Sequence, residues 1–327
     1  MASAQDLEFR AITKRYGPVV ALRDIHLTIH AGEFFTLLGP SGSGKTTLLK
    51  IIAGFETPTE GSIRLGDTDL TRIPVARRNI GMVFQNYALF PHMSVAGNVA
   101  FGLEMRRRPR AEIDTRVREA LALVGLTGME ARYPRELSGG QQQRTALARA
   151  LVFDPDILLM DEPLGALDKN LRQNIQLELK NLHRRLAVTI VYVTHDQEEA
   201  MHLSDRILVL DEGGVVQVGS PEELYHTPAN RFVAGFVGEC NLFPGDRTGG
   251  YISVRPEKLR VGRDAEGCDL TVPAELSEVI FVGSGYKLLL RSGKLDLIAM
   301  VDRPPEVAIH EAVTVGFRAS DGYLVQD

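Results

Sequence analysis

The stretch Gly39-Pro40-Ser41-Gly42-Ser43-Gly44-Lys45-Thr46-Thr47 constrains this chain more than any other. It follows the apolar run Phe34–Leu38, which reads as a buried strand, and precedes Leu48–Ala53, which reads as a helix. Between a strand and a helix, G-x-x-x-x-G-K-[ST] makes a phosphate cradle. The glycines let the backbone curl until several N–H groups face one anion. The helix N-terminus adds unspent donors and a partial positive charge. In such a loop Lys45 reaches the β- and γ-phosphates, and the Thr46 hydroxyl takes a place on Mg²⁺. The expectation is a nucleotide site on an α/β scaffold.

The 327 residues suggest about two domains. Acidic and basic residues are interspersed around a net charge of −5, which argues against a dedicated nucleic-acid surface. The two cysteines, Cys240 and Cys268, form no C-x-x-C frame and suggest neither a disulfide framework nor a zinc site; they fit a reducing compartment. The N-terminus lacks a signal-peptide pattern. No apolar run approaches the roughly 18–20 residues that span a bilayer, so a membrane role requires a partner.

Residues 7–12 and 19–29 read as strands joined by a polar turn that holds Tyr16, an aromatic placed to stack on a base. A further strand at Ile80–Phe84 ends at Gln85, and the loop behind it, Asn86–Met93, carries many large apolar groups for a loop. Such a segment marks a partner surface or folds back on the core. Helices are expected at 95–105 and 111–124, with the basic run Arg106–Arg110 as a solvated turn between them. Residues 86–135 then form a small helical subdomain inserted in the α/β core. In Leu137-Ser138-Gly139-Gly140-Gln141, Ser138 is placed as an N-cap, giving a second anion-ready helix terminus.

Ile157–Met160 is a short apolar strand ending in Asp161-Glu162. Adjacent carboxylates at a strand end suit a metal contact (Asp161) and a group that polarises water (Glu162). Asp168 caps a long polar helix running to about Arg185, and the strand Val188–Val193 delivers His195 to the same sheet edge. Residues 206–210 and 215–219 read as paired strands, and short helices at 221–226 and 229–237 close the first domain. From about residue 240 the texture turns β-rich, with runs at 251–254, 269–281, 285–291, 295–301 and 312–325. That pattern suggests a small barrel.

Taken together, these motifs resemble those of the ATP-binding subunits of ABC importers. Gly39–Thr46 matches the Walker A loop, Gln85 the Q-loop, and Leu137–Gln141 the family's signature sequence. Ile157–Asp161 with Glu162 matches the Walker B strand and catalytic glutamate. Gly165–Asp168 matches the D-loop, His195 the switch histidine, and Tyr16 the adenine-stacking aromatic. The resemblance implies a P-loop cassette over 1–238, with a mixed sheet and the helical subdomain, followed by an OB-like, TOBE-type regulatory domain over 239–327. It implies ATP and Mg²⁺ as ligands, with Thr46, Gln85 and Asp161 on the metal. Glu162, His195, Lys45 and Gln85 carry the chemistry.

It further implies a homodimer in which Ser138, Gly139, Gly140, Gln141 and Asp168 meet the nucleotide of the opposite subunit. Two transmembrane permease subunits would dock near Gln85–Met93, and a solute-binding protein would act through them. No nucleic acid is implied, and the place of work is the cytoplasmic face of a bacterial inner membrane. The tail sequences Asn241–Gly245 and Val254–Leu259 resemble importers of polyamines, ferric iron, sulfate and sugars. Val83–Met93 lies nearest the polyamine and iron branch, which makes spermidine or putrescine the expected cargo. The alternatives are ferric iron, sulfate, a phosphonate or a sugar. A soluble nucleic-acid-associated ABC ATPase is a competing class. It usually carries a long coiled coil, a zinc insertion or two cassettes, and none is visible here.

Overall fold

The computed structural model describes residues 5–165, 169–245 and 249–327. Backbone contacts divide the chain into two compact units, Met1–Pro221 and Glu222–Asp327.

The first unit is built on a six-stranded sheet in the order Gly214–Gly219, Arg206–Asp211, Phe34–Leu38, Thr189–Val193, Ile157–Asp161, Ile80–Val83. All run parallel except the edge strand Gly214–Gly219, which pairs antiparallel with Arg206–Asp211. Central strands buried on both faces read as continuous apolar runs, which is why FFTLL and TIVYV show no alternation. Their side chains still divide by parity. Phe35, Leu37, Leu159, Val191 and Val193 join the core under the helix Lys45–Ala53, together with residues of a four-stranded antiparallel sheet. Phe34, Leu158, Met160, Ile190 and Tyr192 face the opposite way, onto helices Gly139–Leu151 and Lys169–Leu186.

Helices Val95–Met105 and Arg110–Leu123 fall within a residue of their expected positions. They share a separate core with Ala148 and Val152. The helix Gly139–Leu151 therefore serves two cores: Ala146 and Ala150 face the sheet, while Ala148 faces the helical subdomain. Tyr16 is not in a turn, as its polar neighbours suggest. It is the last residue of the strand Leu7–Tyr16, paired with Val19 across a tight reversal in which Gly17 takes a φ of 56°.

The second unit holds two antiparallel sheets. One contains Asn241–Pro244, Tyr251–Val254 and Gly322–Val325. The other contains Arg260–Val261, Ala312–Phe317, Leu270–Phe281, Tyr286–Ser292 and Leu295–Val301. Both contribute to one core around Phe243, Val254, Leu276, Leu288 and Phe317. Buried Asn241 joins them: its amide donates to Val254 O and Ile298 O, and its carbonyl accepts from Ile298 N. The run expected at 312–325 is two strands separated by the short turn Ala319–Asp321.

Helices Pro221–His226 and Arg231–Phe236 pack with this β-rich unit, so the contact division lies upstream of the 238/239 boundary expected from the sequence. Arg255 supplies the reason. Its buried guanidinium donates to Tyr225 O, Ala234 O, Gly238 O and Glu239 O, and it stacks 3.9 Å from the Tyr225 ring centroid.

Candidate functional site

Sheet order assembles the site. Phe34–Leu38, Thr189–Val193, Ile157–Asp161 and Ile80–Val83 are successive parallel neighbours, so their C-terminal ends lie in a row. The segments that follow them carry, in that spatial order, Gly39–Thr47, His195, Asp161-Glu162 and Gln85. Ligands of open α/β sheets bind at this carboxyl edge. Residues as far apart in sequence as Gly39 and His195 are thus brought to one edge.

Glu162 occupies the middle of the row. Its Oε1 lies 3.1 Å from His195 Nδ1, and Gln85 Nε2 donates to its Oε2 at 3.3 Å. In the tautomer that carries its proton on Nδ1, that nitrogen donates to the carboxylate and Nε2 is the ring's free acceptor. Glu162 N donates to Val193 O at 2.9 Å, one step beyond the last ladder pair, Asp161↔Val193. Its φ of 44° then turns the chain away from the sheet. A left-handed glutamate is uncommon, and such strain collects at functional positions.

The phosphate loop is tight. A Cβ on Gly39 would lie 2.2 Å from Leu210 O, and one on Gly44, at φ 104°, would lie 2.6 Å from Ala21 O. No side chain caps the helix Lys45–Ala53, so its first-turn N–H groups remain available to an anion. Lys45 is 7% exposed, and its Nζ donates to Gly39 O at 2.7 Å and Pro40 O at 2.8 Å. Burial lowers the Lys45 pKa, against the raising influence of Glu162 and Asp161. Burial raises that of Asp161, and the neighbouring Glu162 charge adds to the effect; Lys50 and Lys45 oppose it.

The far end of the same helix holds a residue that the sequence reading missed. Buried Arg78 donates to Ile51 O and Ile52 O, each at 2.6 Å, to Leu70 O at 2.5 Å and to Ile73 O at 2.8 Å. A cation on the last carbonyls of a helix opposes the negative end of its dipole. The basic residue just before the strand Ile80–Val83 was the available signal.

Ser138 is the N-cap of Gly139–Leu151. Its Oγ accepts from Gln141 N at 3.3 Å, while Gln141 Oε1 accepts from Ser138 N at 3.0 Å. Gly139 begins this helix on the exposed side and Gly140 is buried. Among the described residues, no hydrogen bond joins this turn to Gly39–Thr47 of the same chain. Tyr16 is 44% exposed, with Lys14 Nζ 4.9 Å from its ring centroid. Asp168 lies outside the described residues.

The segment behind Gln85 is partly folded inward. Tyr87 is buried, and Arg149 donates to Tyr87 O and Ala88 O, each at 2.7 Å. Asn98 clamps the following turn through Phe90 N, Phe90 O, Met93 O and Ser94 O. Phe84, Gln85, Pro91 and His92 remain exposed.

Comparison with known proteins identifies the family. The profile of the ABC transporter family matches residues 22–165, and that of the TOBE domain matches residues 252–325. The spermidine/putrescine import ATP-binding protein PotA of Rubrobacter xylanophilus is 51% identical over 312 residues, covering 86% of this chain and 82% of that protein. PotA of Bacillus anthracis is 46% identical over 321 residues, covering 96% and 97%. Among solved structures, the dimeric post-hydrolysis state of the ATP-binding cassette MJ0796, bound to ADP and Pi, is 35% identical. It has a TM-score of 0.57 and covers 65% of this chain and 98% of its own. CbiO1 of Clostridium perfringens, part of the cbiONQ transporter complex, is 32% identical with a TM-score of 0.63, covering 67% and 89%. Among the described residues, no helix is long and apolar enough to cross a membrane. The chain therefore belongs to the ATP-binding subunits of ABC transporters: it is an ATPase built as a P-loop cassette followed by an OB-like TOBE domain.

Proposed function

We propose that this chain powers polyamine uptake, hydrolysing ATP as a homodimer on the cytoplasmic face of a membrane permease. The observation that carries the catalytic part is the hydrogen-bonded row Gln85–Glu162–His195 beside the Lys45 loop. Support for the cargo comes from the PotA relatives, which match over most of their length. By family pattern residues 1–238 are read as the cassette and 239–327 as the regulatory domain, the contact division itself falling at Pro221/Glu222.

In this reading Gly39–Thr47 wraps the β- and γ-phosphates and Lys45 exchanges its two loop carbonyls for phosphate oxygens. Tyr16 stacks on the adenine. Glu162 orients or deprotonates the attacking water, and His195 contacts the γ-phosphate through its outward nitrogen. Ser138, Gly139, Gly140, Gln141 and Asp168 close over the nucleotide held by the other copy, so one C2 interface builds two sites. Gln85 links the γ-phosphate to the exposed turn at Gln85–Met93, where the permease docks, so nucleotide state biases the membrane partner.

The chain's donors fit Mg²⁺. Thr46, Gln85 and Asp161 offer a hydroxyl, a carboxamide oxygen and a carboxylate, the hard oxygen set this ion takes alongside phosphates and water. Asp161 is held in a site that disfavours its own charge, which a bound cation would relieve. When bound, the ion supplies neutralisation of phosphate charge.

The test is uptake of labelled spermidine into proteoliposomes carrying this chain with its permease and binding protein. ATP-dependent accumulation, abolished by Glu162→Gln, is the expected result. Accumulation of sulfate or ferric iron in place of spermidine would overturn the cargo assignment.

A further inference from the structure

Glu199 is 3% exposed, and the chemistry above gives it no role. The strand Thr189–Val193 and its continuation put Tyr192 and Thr194 on one face. The helix Gln197–Leu203 brings Glu199 beneath them. Glu199 Oε2 accepts from Tyr192 Oη at 2.8 Å and from Thr194 Oγ1 at 2.9 Å. Burial holds the Tyr192 hydroxyl protonated by raising its pKa well above the usual value. Thr194 Oγ1 in turn accepts from Asp196 N at 3.0 Å, and Asp196 Oδ1 caps the helix by accepting from Glu199 N at 3.2 Å. Arg172 reaches the same cluster, 3.0 Å from Asp196 Oδ2 and 3.7 Å from Glu199 Oε1.

His195 lies between the two clamped residues. Its own side chain is 67% exposed, so packing does little to orient the ring. Besides its contact with Glu162, what fixes it is the backbone, held on one side through Thr194 and on the other through Asp196. The Thr194 hydroxyl is the shared piece: it spends its proton on Glu199 and its lone pair on Asp196 N.

We propose that Thr194 and Glu199 are positioning residues for His195, together holding the switch loop so that the imidazole meets Glu162 and the γ-phosphate. The proposal rests on the reading of His195 as a phosphate contact. It places the function of the loop one layer below the surface, in a buried carboxylate that touches no substrate. Removing the Thr194 hydroxyl loosens the loop without changing the shape of the core, because valine fills the same volume.

The experiment is a double-mutant cycle on ATP hydrolysis by the purified full-length protein, using Thr194→Val, Thr194→Ser and His195→Ala. Thr194→Val lowers kcat about tenfold, with KM for ATP changed less than twofold. Thr194→Ser, which keeps the hydroxyl, restores kcat to within about twofold. In the His195→Ala background the valine costs less than about twofold, because there is no imidazole left to misplace. In nucleotide-free protein, ¹³C relaxation of the His195 ring reports greater mobility in Thr194→Val and none in Thr194→Ser. Should Thr194→Val fail to fold, Glu199→Gln, of the same shape, is put through the same cycle with the same expectation. A full tenfold loss in the His195→Ala background overturns the inference while leaving the role of His195 intact. An unchanged kcat in His195→Ala alone overturns the catalytic reading itself and takes the inference with it.

Discussion

Gln85 Nε2 donates to Glu162 Oε2 across the ends of two adjacent parallel strands, Ile80–Val83 and Ile157–Asp161. The pairing puts the first residue of the exposed turn Gln85–Met93, the proposed docking segment, in direct contact with the carboxylate proposed to meet water. A movement of that turn therefore has a one-bond route to the reaction centre.

Glu162→Gln preserves the shape of this row but cannot take a proton. We expect kcat to fall by about 10²–10⁴-fold, with ATP affinity kept or tightened. Phosphate release and nucleotide binding, measured on the same preparation, check it.

Lys45→Ala removes the ammonium that now bridges Gly39 O and Pro40 O. Its effect should fall on binding: equilibrium titration with a fluorescent ATP analogue should show affinity reduced at least about tenfold, since a charge-assisted contact is worth roughly 1.5–3 kcal/mol. Gly39→Ala should be as damaging for a different reason, because its Cβ would collide with Leu210 O.

Asp161 gives a pH test with a definite sign. Burial raises its pKa in the folded state above 3.8, so its charge costs stability above that raised value. The cost is relieved as pH falls through the raised pKa toward 3.8. Asp161→Asn in nucleotide-free protein should therefore raise the thermal midpoint at pH 7 by about 2 °C, and the advantage should shrink on acidification. Hydrolysis should be lost in the same variant. Calorimetry at pH 7 and pH 4.5 reads the first effect, and an advantage that grows at low pH would contradict it.

Arg255→Met leaves four backbone carbonyls without their donor. Loss of a buried, multiply bonded cation should destabilise the second unit by about 3 kcal/mol. Proteolysis near residues 226–240 should accelerate, since Arg255 bonds carbonyls of both short helices, leaving contacts such as Arg231 N to Gln326 O to hold them.

Much of the site was legible because its residues sit in local patterns that demand one backbone form. Gly39–Thr47 needs a strand before it and a helix after it, and Ser138 with Gln141 forms a reciprocal cap within four residues. Strand ends put Glu162 and His195 at one sheet edge in the sequence, but that Gln85 joins them depends on sheet order, which no local pattern encodes and only the family resemblance supplied. Arg78 escaped notice because its helix-end partners lie 26 and 27 residues away, and Glu199 because a lone glutamate in a short polar helix gives no sign that it is buried. The second unit was readable as β-rich, but Asn241–Pro244 and Arg260–Val261 are too short to show a period, and Arg255 bonds the preceding helices by a purely tertiary contact.

The central claim is that ATP is held between the Lys45 loop of one copy and the Ser138 turn of another. Mixing two inactive variants tests it directly. Lys45→Ala and Ser138→Arg each spoil both sites of their own homodimer, but a mixed dimer retains one site built from the intact Lys45 of one chain and the intact Ser138 of the other. After subunit exchange at equal concentrations, the account predicts recovery of hydrolysis to roughly a quarter of the wild-type rate, the share of intact sites in a random mixture of C2 pairs. A mixture as inactive as either variant alone would contradict it.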